Sequence, residues 1–80
     1  MDYKTKMNNY IEFIVIVRKP KTVVYAVRNI HHGNEIGRIL WYGPRRQYVF
    51  EPGERTVWSE DCLLTVQKFL LTLKEERKSK

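Results

Sequence analysis

Three arginines, one tryptophan and two tyrosines fall within the fourteen residues Gly37–Phe50, GRILWYGPRRQYVF. Guanidinium groups hold phosphate oxygens, and aromatic rings stack on unpaired bases at ~1–3 kcal/mol each, so this composition suits a surface for single-stranded nucleic acid. The same residue types are enriched at protein–protein hot spots and also make good strands, which admits a protein partner or a structural role. Charge placement favours the first of these. Between Arg18 and Arg46 stand seven basic residues and one acid, Glu35, which together carry the whole formal charge of +6; the rest of the chain is neutral. That asymmetry points to a polyanionic partner, against the plainer reading of a basic, well-solvated surface.

Residues for catalysis are sparse. The sequence holds no Gly-rich phosphate loop, no pair of carboxylates at a working spacing and no nucleophile with an identifiable base. His31 and His32 adjoin in a loop of turn-forming residues, and neighbouring side chains on extended backbone point apart, so they read as solvated histidines. Cys62 lies near a helix start, where a thiol pKa can fall, but it also occupies the apolar stripe, and a core cysteine is the simpler reading. A lone cysteine forms no internal disulfide, and no CxxC or HxxxH spacing offers a zinc site. The chain is expected to act by binding, not as an enzyme, with no cofactor or metal.

Elements to position these residues follow from periodicity. Eighty residues make one domain, near the lower limit for a single core. Residues 1–9 show no period and read as a flexible N-terminal arm, 10–76 as the domain and 77–80 as a basic tail. In YIEFIVIV, Ile11, Phe13, Val15 and Val17 share one face and Tyr10, Glu12, Ile14 and Ile16 the other. A strand apolar on both faces asks for cover on both sides, by a helix on one and a second copy of the chain on the other. Pro20 turns the chain into TVVYAVR, and the loop Asn29–Asn34, with Gly33, reverses it again. The third strand, EIGRILWY, sets Ile36, Arg38, Leu40 and Tyr42 against Gly37, Ile39 and Trp41. Gly43-Pro44 breaks it, and Arg46–Phe50 forms a fourth strand ended by Pro52-Gly53. From Ser59 the period becomes 3.6, with Cys62, Val66, Phe69, Leu70 and Leu73 on one stripe, Ser59 as N-cap, and Lys74, Arg77 and Lys78 suited to the C-terminal dipole. Leu64 and Leu71 lie off that stripe and hint, with the first strand, at a homodimer. The order is β-β-β-β-α: an α+β fold, a four-stranded antiparallel sheet with one C-terminal helix packed on one face.

A helix covering one sheet face leaves the other for a ligand or partner. Arg28, Arg38 and Tyr42 are expected on that open face with Arg45 and Arg46 at its rim, while Trp41 takes the core side. These five residues are the candidate nucleic-acid-binding set. Parity alone leaves Tyr48 and Phe50 unplaced.

Residues 37–70 resemble a group of small, largely uncharacterised phage and mobile-element proteins through an approximate pattern: Gly37, Ile39 and Trp41-Tyr42; Arg46-Gln47-Tyr48 and Phe50; Pro52; Thr56-Val57; Cys62-Leu63. Those relatives often carry Trp where this chain has Arg45. The resemblance implies a mobile-element origin and no activity. The strand order, with a Gly-Arg pair opening a strand and Trp58 before the helix, is similar to PUR repeats and more distantly to whirly-type domains, which dimerise and bind unpaired bases on a curved sheet. The expected function is a small nucleic-acid-binding protein of phage type, for single-stranded DNA or RNA; the rival is a phage-type protein that binds and modulates a host protein. The polar start MDYKTKMNNY lacks a signal-peptide core, and no uncharged apolar run nears the ~20 residues of a membrane span, so a protein of the bacterial host cytoplasm, with no membrane partner, is expected.

Overall fold

Alternating β-branched and aromatic side chains drive the middle of the chain into an antiparallel meander. The computed structural model describes residues 4–6 and 10–78. In them β1 (Lys4–Lys6), β2 (Ile11–Arg18), β3 (Val23–Asn29), β4 (Glu35–Tyr42) and β5 (Gln47–Pro52) pair in sequence order as one sheet, and α1 (Glu60–Lys78) follows. Four antiparallel strands of six to eight residues precede a C-terminal helix, as the periodicity predicts. The three-residue β1 adds a strand beside β2, with Lys4 opposite Ile14 and Lys6 opposite Glu12, inside the segment read as an arm. The rest of that segment lies outside the described residues. Arg77, assigned from sequence to a basic tail, belongs to the last turn of α1.

Between β3 and β4 the Asn29 carboxamide oxygen accepts from the amides of His31 and His32, at 2.9 and 3.1 Å, and Gly33 takes a positive φ of 76°. Between β4 and β5 a single 3-10 turn, Gly43–Arg45, uses Pro44 near its start and closes with the Arg46 amide donating to the Gly43 carbonyl at 3.0 Å. Arg46 there holds left-handed φ and ψ of 52° and 46°.

The core lies between the sheet and α1. Ile11, Phe13 and Val15 of β2, Tyr25 and Val27 of β3 and Ile39 of β4 meet Val66, Phe69 and Leu73 of the helix. Phe69 anchors the layer: its ring stacks on Phe13 with centroids 4.1 Å apart and meets Tyr25 edge-on at 5.0 Å. Ser59 caps the helix as expected, its hydroxyl accepting from the Cys62 amide at 3.2 Å. Upstream, Trp58 packs edge-on against Phe50 at 4.7 Å, and its indole N–H donates to the Thr56 hydroxyl.

Two bulges change the faces that strict alternation predicts. In β2 the register slips between Val15 and Val17, so Val17 pairs with Val24 on the face away from the helix, beside Ile16. Ile16 and Val17 are consequently 42% and 44% exposed instead of splitting between core and surface. In β4 a second slip sets Glu35 opposite Arg28 and frees Ile36 to pack on the core, away from Arg38, Leu40 and Tyr42.

Candidate functional site

Arg28, Arg38 and Tyr42 do share the open sheet face, on a floor of Ile14, Val24, Ala26, Leu40 and Val49. Both arginines are engaged there. The Nε and Nη2 atoms of Arg28 reach one oxygen of Glu12 at 2.9 and 2.8 Å, and the Glu12 side chain is only 6% exposed. Arg38 donates from Nε to Glu35 at 2.6 Å; that hydrogen bond raises its guanidinium pKa above the ordinary value, and Glu51, directly across on β5, acts in the same direction. Among the described side chains, Glu12, Glu35 and Glu51 thus set three carboxylates against two guanidiniums at this end of the face. The other end is apolar and closes on Tyr42, 47% exposed.

Arg45 and Arg46 stand apart from that cluster, on the β4–β5 turn. The turn delivers Arg46 to the helix side, where it lines a groove of about 490 Å³ between β4, β5 and the C-terminal half of α1. Trp41 and Tyr48, paired across the two strands, line its wall with ring centroids 5.4 Å apart. Lys74, Arg77 and Leu71 line it from the helix, and among the described residues no carboxylate does. The Arg77 guanidinium lies over the Trp41 ring, 4.2 Å from its centroid, and donates from Nη1 to the Lys21 carbonyl at 3.1 Å. Tyr48 is braced from the other side, its hydroxyl accepting from the Val23 amide at 3.1 Å. Arg77 also borders a second groove of about 410 Å³, reached by Lys21 and Tyr25 and containing Glu76.

Of the five residues predicted from sequence, Arg28, Arg38 and Tyr42 thus lie on one side of the sheet, while Arg46 reaches the other with Arg45 beside it on the turn. Trp41 is on the helix side as expected, but at the margin of the core and open to the groove. Sequence reasoning missed Lys74 and Arg77, read only as partners of the helix dipole. Their signal was spacing: Gln67, Leu70, Leu71, Lys74 and Arg77 follow a three-to-four-residue rhythm beside the buried stripe. His31 and His32 are exposed and Cys62 is partly buried at the core's edge. Among the described residues no three His, Cys, Asp or Glu side chains gather into a metal-binding group, and no helix is long and apolar enough to cross a membrane.

Over 75 residues the chain is 33% identical to an uncharacterised 9.3 kDa protein of Acholeplasma phage L2, an alignment covering 91% of this chain and 95% of the phage protein. No family model matches the chain, and no solved structure is significantly similar to it.

Proposed function

The chain belongs to one family with the 9.3 kDa protein of Acholeplasma phage L2, and from that premise we propose that it is a phage-type nucleic-acid-binding protein that takes single strands in its helix–sheet groove. The observation that carries this reading is the groove's lining: Arg46, Lys74 and Arg77 converge on Trp41 and Tyr48 with no acid among the described lining residues. Three cations beside two half-buried aromatic rings suit a sugar-phosphate backbone and the bases attached to it, and a groove of this size admits one or two nucleotides. The protein acts by binding, without catalysis or cofactor, in the host cytoplasm.

Fluorescence anisotropy of labelled single-stranded and duplex oligonucleotides at two salt concentrations tests it. Single strands should bind more tightly, with affinity falling steeply as salt rises. Each of Arg46→Gln, Lys74→Gln and Arg77→Gln should reduce the log–log slope by about 0.7. Trp41→Leu should weaken binding by about tenfold, the lower part of the range for one lost stack. Salt-insensitive or absent binding ends this reading.

A further inference from the structure

We infer that the open sheet face is a self-association surface, and that two copies of the chain pack there sheet to sheet with their helices outward. The face is apolar where a helix-covered sheet of this kind is ordinarily polar: Ile14, Val24, Ala26, Leu40 and Val49 form its floor, and the β2 bulge turns both Ile16 and Val17 onto it. Strand β2 therefore carries apolar side chains on two sides while α1 covers one.

Charge selects the occupant. A chain of net charge +6 repels its own copies, so a self-docking surface must be one where cations are already neutralised. Among the described side chains this face meets that condition. Arg28 is held by Glu12 and Arg38 by Glu35, with Glu51 alongside, whereas Arg46, Lys74 and Arg77 line the groove on the opposite side of the sheet. A polyanion would find no unpaired arginine among the described residues of this face, whereas a second copy would meet its apolar floor. Size is sufficient as well: four strands about 4.8 Å apart and about 25 Å long offer roughly 500 Å² per copy, so a pair buries about 1,000 Å² before surface relief is counted, the threshold for a stable interface. A two-fold pair of this kind is closed, which prevents growth into fibres. It also leaves both helix–sheet grooves on outer surfaces, each free to hold a strand.

Sedimentation equilibrium of the full chain without nucleic acid tests the inference. The wild type should have twice the 9.7 kDa chain mass. Leu40→Lys and, at the exposed bulge where folding is not at stake, Ile16→Lys should each give the monomer mass with the helical circular dichroism retained. Leu64→Lys, on the exposed outer side of α1, should leave the dimer intact. A wild type that stays monomeric up to its solubility limit overturns the proposal. So does a dimer that survives Ile16→Lys and Leu40→Lys, or one that Leu64→Lys dissociates, since either places the contact elsewhere. None of these results depends on the oligonucleotide titrations.

Discussion

Arg46 carries two burdens at once, a left-handed backbone and a cation in the groove. An L side chain at φ 52° is strained where glycine or asparagine is not, so Arg46→Asn should stabilise the fold by up to about 1 kcal/mol. The same change should weaken oligonucleotide binding severalfold, and thermal melts run beside anisotropy would reveal the opposed effects. A substitution that lowered both would show the arginine to be structural. Gly37 is constrained differently. A Cβ there would stand 2.7 Å from Cε1 of Phe50 and 3.0 Å from the Glu51 carbonyl oxygen, and the backbone atom cannot yield. Gly37→Ala should therefore cost about 1–3 kcal/mol in chemical denaturation, although alanine is otherwise the mildest of replacements. In the sequence Gly37 shares a strand face with Ile39 and Trp41, but the Phe50 ring that packs over it comes from the next strand, and parity could not say on which side Phe50 lay.

Elements follow their local signals closely where those signals are self-contained. Helix α1 begins at its cap because Ser59 supplies an acceptor to the Cys62 amide, and Glu60 and Asp61 then meet the positive end of the dipole. Ser59→Ala should lower stability by about 1 kcal/mol and Ser59→Asp should restore it, read from denaturant midpoints. Strands β2 to β5 are legible to within two residues at their ends, since turn residues bound them, whereas β1 has no such signal and reads as an arm. Their faces are not, because a bulge needs no residue type of its own. Val17 lies just past one such slip and Ile36 within the other, and each ends on the side opposite to that which counting by twos assigns. Lys74 and Arg77 show a related limit: the helical rhythm puts them beside the core stripe, but only the packing of α1 over β4 and β5 makes Trp41 their neighbour.

At the scale of the whole molecule, charge is divided by the sheet. One side holds ion pairs around an apolar floor, the other a groove with no acid among the described residues, and the net charge of +6 conceals the difference. Arg28→Gln with Arg38→Gln should accordingly leave the salt slope of oligonucleotide binding unchanged while the groove variants reduce it; the reverse pattern would move the binding surface to the open face. Binding should also stabilise the fold by mass action, by about 2.7 kcal/mol when free single strand is at a hundred times its dissociation constant. A melt that does not respond to saturating oligonucleotide would contradict the groove as a site of the folded state.

The amino-acid sequence by itself determined the class of the fold, because strand and helix periods, turn residues and an N-cap act over a few neighbouring residues. It determined which residue types were at hand, with Arg, Trp and Tyr gathered between Gly37 and Phe50. Tertiary structure decided which of those cations are neutralised. Glu12 and Arg28 are sixteen residues apart and meet only through the β2–β3 register, and Trp41 and Arg77 meet only when the helix is laid on the sheet. Charge in a sequence is a sum, whereas charge on a surface depends on distance, and the fold sets the distances.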